Sequence, residues 1–406
     1  MEGFTRRALI KRGVSGAAVA HISLVAGKSL AGSVRPLHDF RPGKIWLDTM
    51  GKPIQSHGAS IIQVGDTFYW YGENKEFTTG KNAFWTAGVR CYSSQDLYNW
   101  TDLGLIIPPT PNDPRSPLHP ENAKLDRPHI LFNPRTKKFV CWVKIMENDA
   151  RQTRTVLTAD KVTGPYSIVS TGVMPLGMNG GDFDLVASAA DGKAYQYFER
   201  VHSEMICADL TDDYTGMAGH YSTHFPIHSP GLVREGPAYF TRRGKHYLVT
   251  SGTTGYHPNP SEIAIADTFH GPWTVLGDLH PSDRSRTSFN SQVSSVFKHP
   301  GKKDLYIALA DRWNVDLPRI SGSKLPTGEA YRSIVDAMTR IESGGPVRSA
   351  ADAQARLTPE QRSYMEATFL SGVDTSRATY VWLPIRFDGD RPFIDWRTEW
   401  SLNDYE

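Results

Sequence analysis

From residue 54 onward, apolar and polar positions come in short bursts at strand-like rather than helical spacing. An apolar stretch is followed by a tight turn, an aromatic-rich stretch, then a third stretch with small or polar residues, often closing on Trp or Tyr. The phrase is written five times: GASIIQV, TFYWYGE, GVRCYSS and LYNW (58–100); RPHILFN, KKFVCWVKI, RTVLTAD and GPYSIV (127–169); DFDLVAS, KAYQYFE and MICADLT (182–211); EGPAYFT, KHYLVTS, IAIADTF and GPW (235–273); SQVSSVF, DLYIALADRW, YVWLPIRF and FIDW (291–396). Gly65-Asp66, Asn133-Pro134, Asp191-Gly192, Arg243-Gly244 and Pro300-Gly301 supply the turn chemistry between strands.

The second strands begin at Phe68, Phe139, Tyr195, Tyr247 and Tyr306, so successive copies are 71, 56, 52 and 58 residues apart. Such spacing fits diverged blades, each a sheet that cannot bury both faces until a neighbour packs on it. The expected fold is all-β, a five-bladed β-propeller over 36–406, with a two-sheet sandwich as the structural alternative. One segment breaks the pattern. Over about 319–377, Ile334, Met338 and Ile341 recur at three- and four-residue spacing, Ser349 reads as an N-cap and Thr358-Pro359 as a helix start. This predicts a helical insertion in the last blade.

Charge narrows the function. Lys plus Arg number 45 against 43 Asp plus Glu, so no basic field exists to hold a nucleic acid. Cys91, Cys141 and Cys207 lie singly in apolar stretches, which predicts buried thiols rather than a zinc knot or a disulfide framework. Residues 1–35 carry Arg6-Arg7 before Leu9 and Ile10, then a short weakly apolar stretch with Ser29 and Ala31 at small-residue positions. They resemble a twin-arginine export signal, which implies a periplasmic or extracellular protein without stable membrane insertion. The 14 histidines offer no H-x-x-x-H pair within a cluster of acids, so no metal centre or organic cofactor is expected. A calcium ion on a propeller axis would leave no trace in sequence.

In a propeller the first strand of every blade is innermost and all run the same way, so residues at their entries share one rim of the central funnel. Counting back 11 to 14 positions from the five aromatic markers reaches His57, Asp126, Asp182, Glu235 and Gln292. All are polar and three are acids. Carboxylates converging in a desolvated funnel push each other's proton affinities apart, the arrangement that glycosidic bond hydrolysis uses. Trp85, Tyr256 and Trp313 stand near strand ends as candidate aromatic walls for a sugar.

At these residues the chain resembles glycoside hydrolase family 43, and within it the exo-β-1,3-galactanases. The matching phrases are IQSHGASIIQVGDTFYWYGENK (54–75), CYSSQDLYNW (91–100), RPHILFNPRTKKFVCW (127–142), REGPAYFTRRGKHYLVTSGTTGYHPN (234–259), FNSQVSSVF (289–297), ADRWN (310–314) and YVWLPIRF (380–387). The resemblance implies an inverting enzyme in which Glu235 is the general acid and Asp182 raises its proton affinity. It implies that Glu73, Thr254 and Asp126 hold the terminal sugar; His57 from its strand-entry position and Tyr256 and Trp313 from their strand-end positions join them as candidate sugar contacts. The family's usual aspartate base is missing, since no acid occurs from Pro53 to Gly65. As in the galactanase branch, Gln292 then handles the attacking water, either through an unusual tautomer or by holding it while Asp126 or another carboxylate takes the proton. Two departures stand out: Asp126 replaces the branch's glutamate and Tyr256 a tryptophan. They leave open a galactofuranoside, arabinofuranoside or xyloside specificity, and a silent glycan-binding propeller is the reading from outside enzymes.

Overall fold

The computed structural model describes residues 35–406 except 82–84, 121–123, 148, 150, 202, 227–232, 317–354 and 360–372. Five antiparallel sheets follow one another along the chain, each a simple up-and-down meander. The first blade holds β1 (His57–Val64), β2 (Thr67–Glu73), β3 (Val89–Ser94) and β4 (Thr101–Ile107). The second holds β5 (Lys124–Asn133), β6 (Lys138–Met146), β7 (Gln152–Ala159) and β8 (Ser167–Val173). In the third are β9 (Gly180–Ala187), β10 (Ala194–Arg200), β11 (Glu204–Leu210) and β12 (Met217–His224). The fourth has β13 (Arg234–Arg242), β14 (Lys245–Gly252), β15 (Glu262–Ala266) and β16 (Thr274–Asp278). The fifth combines β17 (Gln292–Lys298), β18 (Tyr306–Arg312), β19 (Thr379–Tyr380), β20 (Leu383–Asp388) and β21 (Arg391–Phe393).

The ring closes through the first strands. β1 packs on β5, β5 on β9, β9 on β13, β13 on β17 and β17 back on β1. The protein is a five-bladed β-propeller. Its second strands read as almost unbroken apolar and aromatic runs because both faces are covered by neighbouring blades, as in β6, where Phe139 to Ile145 are all buried. Cys91, Cys141 and Cys207, on β3, β6 and β11, are free and buried.

The chain ends brace the junction between the first and fifth blades. Phe40 bridges Trp400 by backbone pairing, and their rings stack at 4.2 Å. Trp46, Trp70, Trp100 and Trp382 pack beside them with centroids 4.4–6.3 Å apart. Stacked and edge-on aromatic pairs each contribute about 0.5–1.5 kcal/mol beyond the area they bury, so half of the ten tryptophans serve closure rather than ligand binding.

Most of the helical insertion expected at 319–377, including Ile334, Met338, Ile341 and Ser349, lies outside the described residues. Near its end Thr375–Arg377 forms a single 3-10 turn. The export-type segment also lies outside them, up to residue 34.

Every innermost strand is irregular close to its entry. Register breaks fall between His57 and Ser60, Asp126 and His129, Glu235 and Ala238, and Val293 and Ser295; on β9 the break lies opposite Asp182, between Phe198 and Arg200 of its partner strand. A bulge re-aims the side chains beside it. Arg127 takes a positive φ of 49° and Gly236 one of 57°, immediately after Asp126 and Glu235. The backbone is bent where the candidate residues stand, and regular pairing resumes below them.

Candidate active site

Glu73 ends β2, Asp126 lies on β5, Asp182 on β9 and Glu235 on β13. Three buried cations thread between these four acids. Lys144, on β6, reaches Asp182 Oδ1 at 2.6 Å and Asp126 Oδ2 at 3.1 Å. Arg127 grips Asp182 Oδ2 with both Nε (3.0 Å) and Nη2 (2.7 Å). Lys75 lies 2.7 Å from Glu73 Oε2 and 3.8 Å from Asp126 Oδ1. Glu73 Oε1 also accepts the backbone N–H of Arg127 at 3.0 Å.

Glu235 stands apart. Among the described residues no cation pairs with it, and its side chain accepts one long contact, 3.4 Å from Gln292 Nε2. Of the four acids, the one without a cation beside it holds a proton most easily. Burial is the largest cause pushing Glu235 well above the carboxylate range, followed by the negative charges of Asp182 and Glu199. Asp182 moves the other way: burial opposes its charge, but Arg127 and Lys144 outweigh burial and hold it well below the usual range. Asp126 is likewise lowered against burial, by Lys144 and Lys75. Burial raises Glu73 to about 7, with Lys75 pulling the other way. Paired acids with opposed proton affinities are the general acid/base arrangement.

Gln292, the first residue of β17, bridges the two halves of the site. Its Oε1 accepts from Arg127 Nη2 at 2.7 Å and Trp313 Nε1 at 3.1 Å. Guanidinium and indole N–H groups are donors only, so the oxygen of the amide must face them. Nε2 therefore points to Ser251 Oγ (2.9 Å) and Glu235. Two donors on the oxygen leave no room for a proton there, so Gln292 stands here as an ordinary amide.

Aromatic rings wall the pocket. Tyr256 lies 5.7 Å from Trp85 and 5.5 Å from Trp313, the former pair stacked. Trp85 Nε1 donates to Asp126 Oδ1 at 2.5 Å, and Lys75 Nζ sits 4.7 Å over the Trp85 ring. Tyr256, Gln292, Trp313 and Ser251 line one concave pocket with Asn290 and Gly255.

Two expected sugar contacts stand differently. His57 has no exposed surface; its Nδ1 pairs with Asp311 Oδ1 at 3.0 Å and its Nε2 meets Tyr380 Oη at 3.2 Å. The Asp311 carboxylate also accepts Gly58 N–H and the Ser294 hydroxyl, so His57 locks the first blade to the fifth beneath the rim. Thr254 is also fully buried, donating to His257 O at 2.6 Å and accepting from Asn259 Nδ2 at 2.7 Å. It shapes the loop that carries Tyr256. Both lie in register with the rim but below its accessible surface, a depth that strand counting does not report.

Sequence reading missed Arg127, Lys75 and Lys144. Their signal was present: a lysine inside the apolar run of β6 and a cation beside each acid in GENK and DRP. Buried Lys and Arg are rare unless paired.

The described residues gather one set of three carboxylate or histidine ligand atoms close enough for a single ion, and it does not lie on the axis. Nearer the axis, Asp184 pairs with His129 at 3.3 Å and already accepts the Leu185 and Tyr239 amides at 2.8 Å. That is not the oxygen-rich shell calcium takes.

A propeller funnel holding one protonated acid beside a charged one, walled by aromatic rings, belongs to the glycoside hydrolases. The family model for glycosyl hydrolases family 43 matches residues 52–317, and the chain belongs to that family. A family 43 β-1,3-galactosidase is 27% identical with a TM-score of 0.67 over 90% of this chain and 64% of its own, so the chain spans under two thirds of that relative. An exo-β-1,3-galactanase from Phanerochaete chrysosporium, solved with galactose, shares the fold at 23% identity and TM-score 0.68, over 90% of this chain and 68% of its own. A second β-1,3-galactosidase, solved with galactodeoxynojirimycin, does so at 23% identity and TM-score 0.68, over 89% of this chain and all of its own. No curated protein sequence matches significantly.

Proposed function

We propose that the protein is an exo-acting hydrolase that removes terminal galactose from β-1,3-linked galactan with inversion of configuration. The observation that carries this reading is the contrast between Glu235, unpaired and proton-retaining, and Asp182, held charged by Arg127 and Lys144. Glu235 gives its proton to the departing glycosidic oxygen while water attacks the anomeric carbon from the opposite face. The amide of Gln292, pinned by Arg127 and Trp313, holds that water through the Nε2–H that otherwise makes only the long 3.4 Å contact with Glu235. Asp126, tied to two ammonium groups, is a weak proton acceptor. Glu73, raised to about 7, is better matched to take the proton near neutral pH. The likeness to β-1,3-galactosidases and exo-galactanases supports galactose as the sugar.

Asp126 and Tyr256 favour a second reading within the family. A carboxylate shorter by one methylene and a smaller ring reshape the pocket, which suits another terminal sugar such as a furanoside. A product profile on β-1,3-galactan, arabinan and xylan oligomers, with proton NMR of the first anomer released, separates the readings. Single galactose units appearing first as the α-anomer support the proposal. Arabinose or xylose release supports the second reading, and binding without turnover sinks both. The twin-arginine-like start of the chain supports export, tested by fractionating cells that express the full chain and its Arg6→Lys, Arg7→Lys variant.

A further inference from the structure

A second cluster of chemically capable side chains lies on the outer strands, away from the funnel. Asp209 is on β11, His220 on β12, and His270 in the turn joining β15 to β16, so the cluster spans the third and fourth blades. Asp209 Oδ1 is 2.6 Å from His270 Nε2 and its Oδ2 is 3.3 Å from His220 Nδ1. The ligand atoms of all three lie within 4.8 Å of one another. Inner strands run from the funnel rim toward the opposite face and alternate strands reverse, so the end of β11 and the β15–β16 turn both belong to that opposite face.

We propose that Asp209, His220 and His270 form a zinc-type divalent cation site that clamps the third blade to the fourth. Two imidazole nitrogens and one carboxylate oxygen are the donors that zinc takes in four-coordinate sites, with water completing the shell. The far nitrogen of His270 is already oriented: Nδ1 lies 2.6 Å from Ser222 Oγ, which lies 2.8 Å from His224 Nε2. Without the ion, Nε2–H donates to Asp209 and Nδ1 accepts from the Ser222 hydroxyl; an ion at Nε2 displaces that proton, and Ser222 can turn to accept from Nδ1–H and donate to His224. Metal-binding histidines are commonly held this way by a partner on the second nitrogen. Phe269, next to His270, stacks on Tyr195 at 4.0 Å and anchors the turn on the third blade, so the site is presented rather than assembled. The side chains of Asp209 and His270 keep about a quarter of their surface and His220 two thirds, which leaves open positions for water and a path for the ion.

The test is calorimetric titration of tag-free full-length protein, freed of metal by chelation, with zinc chloride alone, alongside cobalt(II) visible absorption. One equivalent of zinc should bind and raise the melting temperature, and cobalt should give the intense bands of a four-coordinate site. His220→Gln and His270→Gln should each lose most of this affinity, and Ser222→Ala roughly 10- to 100-fold. His220 is the most exposed of the three, so its variant tests the site without disturbing the fold. Absence of stoichiometric zinc in the wild type, or unchanged binding in both glutamine variants, overturns the proposal.

Discussion

Lys144 Nζ lies 2.6 Å from Asp182 Oδ1, and neither side chain has more than a tenth of its surface open to water. A buried ammonium that close keeps Asp182 charged, and a charged Asp182 in the same funnel is one reason Glu235 keeps its proton. Positive charge two links away therefore sets the proton on the candidate acid.

Glu235→Gln should lower kcat by about 10²- to 10⁴-fold, the range of a lost general acid, with substrate binding retained. The loss should shrink on aryl glycosides whose leaving groups depart without protonation. Equal losses on both substrate types would show that Glu235 does not deliver the proton.

Asp182→Asn removes a charge that raises the proton affinity of Glu235. The alkaline limb of the kcat/KM profile should shift to lower pH, because Glu235 then ionises earlier. The variant also leaves Arg127 and Lys144 short of a partner in a buried setting, at a cost of about 3–5 kcal/mol, visible as a drop in urea midpoint. A pH profile that does not move removes Asp182 from the mechanism.

Glu73 should make stability depend on pH. Its unfolded value is about 4.3 and its folded value about 7. The folded state binds that proton more tightly, so the contribution is full below about pH 4.3 and is lost as pH rises to about 7. Urea midpoints across this window should fall less steeply in Glu73→Gln than in wild type. Slope is the readout, since Lys75 left with Asp126 alone costs a pH-independent amount. Identical slopes would place the transition on another group.

Gly236→Ala should impair turnover more than folding. A Cβ there lies 3.1 Å from Gln292 Nε2 and 3.2 Å from Ser251 Oγ, at a φ of +57°. The left-handed backbone costs about 1–2 kcal/mol, while displacement of the Gln292 amide should lower kcat by tenfold or more at little change in melting temperature. Wild-type kcat would show that the amide's position is not critical.

The strands were legible because both faces of a blade are buried, so they appear as apolar runs cut by turn residues. TFYWYGE is β2 residue for residue. Blade number followed from counting those runs, and the entries of the inner strands from counting back to Asp126, Asp182, Glu235 and Gln292. The partnerships were not legible. Arg127 and Gln292 are 165 residues apart and Lys144 and Asp182 are 38; local sequence marks the cations as unusual but not which partner each meets until the ring closes. His57 and Thr254 mark the same limit, since strand position fixes register around the axis but not depth below the rim.

Asp209 and His270, 61 residues apart, show no local pattern either. Local sequence thus determined the strands, the blades and which residues head toward the axis, because period and turn chemistry act over neighbouring residues. Only closure of the ring decided which acid lacks a cation partner, which end of the Gln292 amide faces Glu235 and which histidines meet, because charge, desolvation and donor geometry depend on distances that chain separation does not encode.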